Sequence, residues 1–177
     1  MKDNFNLSRL RKPTKKQKIN SRTKGNSFER KISKILNEHF EVDEFSRTPG
    51  SGAFATTHKL PEYLKIHGDI ITPNKFKYCI ECKKGYNKEN LYSLYNDRSD
   101  FRNFLKQSEE DAEKAKKSPM LIYQQDRQPV LVVVRDIDLA SIPQVIINMQ
   151  EENKKYFIYK LEDLLRSTSK SDWFINY

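Results

Sequence analysis

The chain has 177 residues, of which 36% are hydrophobic and 32% are charged, and its formal net charge is +9. This length suffices for one domain with a buried core. No apolar run approaches the length of a membrane-spanning helix and none follows the N-terminal charges, so we expect neither a membrane segment nor a secretory signal peptide. We therefore expect a cytoplasmic protein.

The basic charge is concentrated near the N-terminus. Residues 1–25 contain nine lysines and arginines against one acidic residue, Asp3, so they carry a net charge of +8 and leave about +1 for the other residues. This composition predicts a disordered basic arm, which attracts polyanions and above all nucleic acid. Arg22 and Lys24 are the residues of the arm that we expect to contact DNA. The alternative is a solvated tail that only aids solubility.

The remaining residues predict one domain, with a core at 26–135 and a C-terminal extension at 136–177. The first predicted element is a helix at 26–40, where apolar residues recur at helical spacing and Asn26 or Ser27 can form the cap. The elements predicted after it are a strand at 42–48, a flexible loop of small residues at 49–53, and a hairpin formed by 70–71 and 76–82.

The second half of the chain also alternates between helical and strand patterns. The predicted elements are a surface loop at 85–98, an amphipathic helix at 100–117, strands at 120–123 and 130–135, a helix at 144–151, a strand at 156–159 and a helix at 161–166. Helices long enough to cover a sheet indicate an α/β domain, with a central mixed β-sheet flanked by helices. The loop tyrosines Tyr86, Tyr92 and Tyr95 could stack on exposed bases or pack against a partner surface.

Cys79 and Cys82 have the spacing of zinc and redox sites. They lie in a predicted strand, however, where an offset of three residues places them on opposite faces. No second Cys or His pair completes a zinc site in the sequence. We interpret both as small buried hydrophobic residues.

Asp69 and the segment Glu81-Cys82-Lys83 are the strongest candidates for chemistry. Alternate side chains of a strand share a face, so Glu81 and Lys83 point the same way. A tight hairpin through residues 72–75 brings Asp69 beside them. Two carboxylates and an ammonium group then converge at one end of a sheet, which suits a divalent metal and a charged phosphate. The bare pattern has low specificity, because salt-bridged E-x-K pairs also occur without any catalytic role.

Glu29 is a third acidic candidate. On a helical wheel it lies within about 60° of the apolar centre of the first helix. A carboxylate so close to the core needs a partner, because a buried unpaired charge is costly. A metal shared with Asp69 and Glu81 would provide one. The alternative is a glutamate that is simply favoured near the N-terminus of a helix and needs no metal.

The order of these motifs resembles that of a known family. The segments are Lys24-Gly25-x-x-Phe28-Glu29-Arg30, Ser46-Arg47-Thr48-Pro49-Gly50-Ser51-Gly52, Gly68-Asp69-Ile70 and Ile80-Glu81-Cys82-Lys83. In this order they resemble the archaeal-type Holliday-junction resolvases of the PD-(D/E)xK nuclease superfamily, which shares the restriction-endonuclease core. The resemblance covers residues 24–135. It departs from the family at Gly68, where a proline often stands, and at 54–67, a segment longer than the family core requires.

This resemblance implies a restriction-endonuclease-like core and a metal-dependent cleavage of DNA. Glu29, Asp69 and Glu81 would bind Mg²⁺, or Mn²⁺ in its place, and Lys83 would position or activate the attacking water. Ser51 would be an auxiliary catalytic group. The residues expected to contact DNA, besides those of the arm, are Arg47, Gly50, Ser51, Gly52 and Lys84.

The leading hypothesis is therefore a Mg²⁺-dependent, structure-selective DNA endonuclease that resolves four-way junctions as a homodimer. Two-fold symmetry would place two active sites on opposed strands of a junction. A second hypothesis keeps the nuclease chemistry in a repair, nicking or restriction-type enzyme that cuts duplex or flap DNA. A third is an inactive nuclease fold that only binds DNA, or a protein-interaction domain. The complete set of three carboxylates and one lysine argues against the third.

Overall fold

The computed structural model describes residues 21–49, 67–135, 139, 141–149 and 152–175. Within these ranges, seven strands form one sheet in the spatial order β1-β2-β3-β4-β5-β7-β6. The strands are β1 (Ser46–Arg47), β2 (Ile70–Ile71), β3 (Tyr78–Lys84), β4 (Ser118–Gln124), β5 (Leu131–Arg135), β6 (Val145–Met149) and β7 (Lys154–Lys160). The helices are α1 (Ser21–Phe40), a 3-10 helix (Leu91–Tyr95), α2 (Asp100–Ala115), α3 (Leu161–Ser167) and α4 (Lys170–Trp173).

The sheet is mixed, as the sequence predicts. β3 and β4 pair in parallel, and the other neighbouring strands pair antiparallel. A parallel pair needs a crossover, which α2 supplies. Apolar residues of α1, such as Ile32 and Leu36, cover one face of the sheet, and Phe104 and Leu105 of α2 cover the other. The predicted α/β class, with a central mixed sheet flanked by helices, is therefore confirmed.

The predicted hairpin of β2 and β3 is present, and at its open end the backbone bends sharply at Gly68, just before Asp69. Ile70 pairs with Ile80, and the amide of Asp69 donates a hydrogen bond to the carbonyl of Ile80 at 2.8 Å. Gly68 precedes this contact with φ of +78°, and a Cβ atom built on it would lie 2.7 Å from the carbonyl oxygen of Ile80. Both the left-handed backbone and the close approach require glycine here.

The C-terminal extension predicted at 136–177 belongs to the main fold. Its strands β6 and β7 extend the sheet, and β7 pairs with β5 along five residues. Trp173 is fully buried, and its ring lies 6.0 Å from that of Phe76 in a stacked arrangement. Its carbonyl accepts a hydrogen bond from the amide of Lys77 at 2.9 Å. The described part of the extension therefore completes the core, because β7 covers the edge of β5.

The predicted helix at 144–151 is wrong, because Val145–Met149 is strand β6. Val145, Ile146 and Ile147 are consecutive β-branched residues, whose restricted χ1 angles favour a strand. Strand β7 supplies the pairing partner through the contact between Ile146 and Phe157.

Two further boundaries differ from the prediction. Helix α1 begins at Ser21, so 21–25 are helical and do not belong to an arm, while 1–20 lie outside the described residues. Ser27 does not cap the helix; its hydroxyl donates to the carbonyl of Thr23 at 2.8 Å, one turn earlier. The strand predicted at 42–48 is reduced to Ser46–Arg47.

None of the helices in the described part of the chain combines the length and apolar character that crossing a bilayer requires.

We expect Gly68→Ala to destabilise the protein by about 2–5 kcal/mol, because it adds both left-handed strain and a collision with strand β3. Gly85→Ala is the matched control. Gly85 also has a positive φ, of +101°, but a Cβ atom there meets no other atom within 4 Å. Its cost should therefore be limited to about 1–2 kcal/mol of backbone strain. Urea unfolding of the two variants measures the difference, and equal losses would contradict the close-approach argument.

Candidate active site

Three buried carboxylates meet where β2 begins beside β3. Glu29 on α1 is 6% exposed, Asp69 before β2 is 8% exposed, and Glu81 in β3 is 2% exposed. The charge of Asp69 acts on both glutamates, so the three groups form one electrostatic cluster. The wheel position of Glu29 and the hairpin together explain this arrangement, and both are readable from the sequence.

Asp69 is held against β3 through its backbone and its side chain. One carboxylate oxygen, Oδ2, accepts a hydrogen bond from the amide of Cys82 at 2.9 Å. The carbonyl of Asp69 accepts a bond from the amide of Thr48 at 2.9 Å, next to β1. Strand β2 has only two residues, so its backbone does not pair with the amide of Cys82, and this amide binds the carboxylate of Asp69 instead. The carboxylate of Asp69 is thereby fixed beside Glu81, which directly precedes Cys82 in β3.

Two cations balance part of this negative charge. The guanidinium of Arg47 donates to Oε2 of Glu29 at 2.6 Å and to Oδ1 of Asn26 at 3.0 Å. The ammonium group of Lys83 forms an ion pair with Oε1 of Glu81. Arg47, which the sequence places near phosphate, therefore contacts a carboxylate in this structure. Its pairing with Glu29 was not predicted, since it depends on β1 lying against α1.

The electrostatics of the cluster favour uptake of positive charge. Burial raises the pKa of Glu81 to about 8, the charge of Asp69 adds to this rise, and Lys83 opposes it. Burial and Asp69 likewise raise the pKa of Glu29, against the influence of Arg47. Burial alone lowers the pKa of Lys83, but the carboxylates of Glu81 and Asp69 outweigh it and raise the value. Lys83 thus remains cationic, while the glutamates hold protons more readily than usual.

The donor chemistry of the cluster suits Mg²⁺ or Mn²⁺, which prefer carboxylate oxygens. As the side chains stand, no group of three or more His, Cys, Asp and Glu residues within the described ranges is arranged to hold a metal ion. Glu29 and Glu81 are instead engaged by Arg47 and Lys83. A divalent cation would relieve the same like-charge repulsion that these two cations now relieve.

A group of lysines lies beside the cluster. Burial lowers the pKa of Lys84, and the charges of Lys31 and Lys24 lower it further, so the three ammonium groups are near one another. Lys84 lies 5.3 Å above the ring of Phe28, and Lys24 forms an ion pair with Asp126 at 2.5 Å. This placement joins two of the predicted DNA contacts, Lys24 and Lys84, on one side of β3.

The other predicted contacts are not brought into this group. Arg22 lies in the first turn of α1 and is exposed. Gly50, Ser51 and Gly52 lie outside the described residues. Their predicted roles therefore stay predictions.

The interpretation of the two cysteines is confirmed. Cys79 is 4% exposed and Cys82 is 6% exposed, and neither forms a disulfide. Burial raises the pKa of the Cys79 thiol to about 12 and that of Cys82 well above its usual value. Thiols that stay protonated make poor metal ligands and poor nucleophiles.

The fold and the cluster define a nuclease of the PD-(D/E)xK class, and comparison with known proteins supports this. The chain matches the model of the family described as "Phage putative PDDEXK endonuclease" over residues 20–175. It therefore belongs to this phage endonuclease family, which confirms the superfamily predicted from the sequence. The matched range also includes most of the predicted extension, in agreement with the single sheet.

One curated protein is similar to this chain over much of its length. The chain is 31% identical to Protein D14 of Escherichia phage T5 over 144 residues, which cover 75% of this chain and 85% of that protein. No solved structure gives a significant match. Nothing in these matches is specific to the archaeal-type resolvases, so the class is established at the level of the phage PD-(D/E)xK endonucleases.

We expect Asp69→Asn to stabilise the metal-free protein, because it removes a charge that repels Glu29 and Glu81 while keeping an acceptor for the amide of Cys82. Folded Glu81 keeps its proton up to about pH 8, whereas the unfolded chain loses it near 4.5. Its contribution to stability therefore falls as the pH rises through this window. The rise in melting temperature caused by Asp69→Asn should be small at pH 5. At pH 8 it should be at least about 2–4 °C, the shift produced by ~1 kcal/mol.

Thermal unfolding in EDTA measures this gain, and Glu38→Gln is the control. The side chain of Glu38 is 65% exposed and pairs with Lys34 at 3.6 Å. This substitution should leave the melting temperature nearly unchanged at both pH values. Added Mg²⁺ should stabilise the wild type by mass action and should not stabilise Asp69→Asn. A destabilised Asp69→Asn at pH 8 would contradict the proposed charge repulsion.

Proposed function

We propose that this chain is a metal-dependent DNA endonuclease that hydrolyses phosphodiester bonds of four-way junctions as a homodimer. The observation that carries the nuclease chemistry is the meeting of Glu29, Asp69, Glu81 and Lys83 at one edge of the sheet. Membership of a phage endonuclease family supports DNA as the substrate. The choice of a junction over other DNA rests on the sequence resemblance described above.

In this proposal Glu29, Asp69 and Glu81 bind Mg²⁺, or Mn²⁺ in its place. A metal bound by such carboxylates lowers the pKa of its water and stabilises negative charge on the scissile phosphate. The chain supplies the position: the amide of Cys82 fixes the carboxylate of Asp69 at 2.9 Å, and β3 fixes Glu81. Burial of all three acids keeps bulk water from competing for them.

Lys83 and Arg47 act as counter-ions of the metal-free site. Since the carboxylates raise the pKa of Lys83, its ammonium group stays charged and can donate to the attacking water or to a phosphate oxygen. The guanidinium of Arg47 offers the paired donors that phosphate oxygens accept. Both side chains are mostly buried, at 17% and 19% exposed, so they would act at the cleavage point.

The DNA backbone would be bound beside this point. Lys24 and Lys84 lie together next to β3 and provide phosphate contacts. Arg22 and the basic residues of 1–20 would extend these contacts along the DNA. We propose in addition that Gly50, Ser51 and Gly52 approach the cleaved strand and that Ser51 assists the reaction.

An open strand edge supports the homodimer. β6 pairs only with β7 among the described strands, and its sequence VIINM contains no charge and no proline. Val145 and Ile146 of β6 are 46% and 48% exposed, and Ile142, three residues before the strand, is 87% exposed. Apolar edges of this kind are normally covered, since they otherwise promote aggregation. Antiparallel pairing of β6 with β6 of a second copy would cover it and create the two-fold axis that a junction resolvase needs.

We expect the wild type to cleave a synthetic four-way junction in the presence of Mg²⁺, and to cleave linear duplex of the same sequence much more slowly. Asp69→Asn should lower the cleavage rate at least about 10³-fold, which corresponds to ~4 kcal/mol of transition-state stabilisation. Glu38→Gln should retain the wild-type rate. Gel assays of labelled DNA, under single-turnover conditions, measure both effects.

The same assay separates the alternatives. Equal cleavage of junction and duplex would refute junction selectivity and leave the nuclease chemistry in place. Cleavage by Asp69→Asn at the wild-type rate would show that the site is misassigned. If the wild type binds DNA but cuts nothing with either Mg²⁺ or Mn²⁺, the protein is a binding module.

We expect Ile146→Lys to convert a dimer into a monomer, because a lysine on each copy would face the paired edge. Ile175→Lys is the matched control, since Ile175 is 53% exposed but lies outside β6. Sedimentation velocity of the two variants and the wild type measures the effect. A wild type that is monomeric both free and on DNA would contradict the homodimer. A dimer that survives Ile146→Lys would place the interface elsewhere.

A further inference from the structure

Two exposed tyrosines lie close together on the 3-10 helix that follows β3. Tyr92 is 81% exposed and Tyr95 is 86% exposed. Side chains three residues apart in a 3-10 helix lie on the same face, and the rise of about 2.0 Å per residue separates them by roughly 6 Å along the axis. We call this pair the tyrosine ridge. Aromatic rings so far out of the core contribute little to folding, so their position needs another explanation.

The tyrosine ridge is built on a fixed element. Oδ1 of Asn90 accepts a hydrogen bond from the amide of Tyr92 at 2.9 Å, and the hydroxyl of Ser93 accepts one from the amide of Asn90 at 3.1 Å. The hydroxyl of Ser99 donates to the carbonyl of Ser93 at 2.7 Å. Leu94 packs against the core under α2. Two rings presented by an ordered helix can bind a flat partner without a large loss of conformational entropy.

A chain of aromatic contacts leads from the candidate active site to Tyr86, at the start of the segment that carries the ridge. The ammonium group of Lys83 lies 5.4 Å from the ring centroid of Phe104. The ring of Tyr86 contacts the ring of Phe104 edge-on at 4.6 Å between centroids, and Tyr86 is 43% exposed. The carbonyl of Tyr86 accepts from Gln125 Nε2 at 3.2 Å, and the same nitrogen donates to the carbonyl of Glu89 at 2.6 Å. The start of the loop is thus anchored beside Lys83.

The charge of this loop points to bases and not to phosphates. Residues 86–98 contain Lys88 and Arg98 against Glu89 and Asp97, so their net charge is zero. Phosphate groups would instead be bound by Lys84 and the neighbouring Lys24 and Lys31. A pair of exposed rings in a segment without net charge suits the flat faces of bases, each of which gains about 1–3 kcal/mol by stacking on an aromatic side chain.

The exposure of the ridge favours unpaired bases over paired ones. Bases in an intact duplex are already stacked on each other, so their faces are not available to an outside ring. An unpaired base exposes its face and can stack on Tyr92 or Tyr95, which are 81% and 86% exposed.

We propose that Tyr92 and Tyr95 bind an unpaired base of the DNA substrate by stacking, and thereby direct the site beside Lys83 to DNA that is not fully paired. This inference rests on the proposed function, because it assumes that DNA reaches the cluster. The tyrosine ridge is then a specificity determinant: it selects the substrate without touching the bond that is cut.

The test measures binding without cleavage, in EDTA and at one fixed salt concentration. The two probes are a duplex with one unpaired 2-aminopurine and a fully paired duplex of the same length. Stacking of the 2-aminopurine on the tyrosines should quench its emission. The double variant Tyr92→Leu, Tyr95→Leu should lose this quenching and bind the unpaired probe about 5–150-fold more weakly, the range expected from 1–3 kcal/mol. Its affinity for the paired duplex should be unchanged.

The double variant Tyr92→Phe, Tyr95→Phe is the matched control, since it keeps both rings and should keep the wild-type affinity. Failure of the phenylalanine variant, an equal loss for both probes, or no loss at all would overturn the stacking proposal. A changed oligomeric state in the leucine variant would also overturn it, because the ridge would then be a protein contact. Binding is scored without cleavage, so an inactive wild type would sink the proposed function alone.

Discussion

The close contact of Asp69 with strand β3 is the constraint on which the site depends. The amide of Asp69 bonds to the carbonyl of Ile80, and its carboxylate bonds to the amide of Cys82, so one residue contacts the same strand twice. Only the left-handed backbone of Gly68 allows the chain to approach so closely. This contact sets the distance between two catalytic candidates, because Glu81 lies in the strand between those two partners.

Burial of three acids at this edge is unfavourable to folding, and the structure offsets it with cations from the same region. Arg47 and Lys83 each neutralise one glutamate, and this leaves Asp69 to perturb both. The protein therefore retains a like-charge repulsion at this site that apolar residues in the same positions would not produce. Such trade-offs between stability and activity are common where a site must bind charge strongly. In the proposed function this repulsion has a use, since a divalent cation binds closely spaced carboxylates.

Much of the site could be predicted from the sequence, because it depends on short-range periodicity. Strand alternation joined Glu81 to Lys83, and the helical wheel placed Glu29 near the core. The pairing of Arg47 with Glu29 could not be predicted, since it spans two elements whose relative placement is set by the whole sheet. The helix predicted at 144–151 failed for a different reason: a run of β-branched residues carried the strand signal, and the pairing with β7 that confirms it lies further along the chain.

Trp173 is the single tryptophan of the sequence, and its burial gives the protein a built-in optical reporter. Its ring packs against the rings of Phe76 and Tyr78. These two residues lie directly after the turn that leads from β2 into β3. Its emission should be blue-shifted while this region is intact and should move to longer wavelength when the C-terminal segment leaves the sheet. Tryptophan fluorescence therefore reports the integrity of the scaffold below the acidic cluster, independently of whatever is bound at the surface.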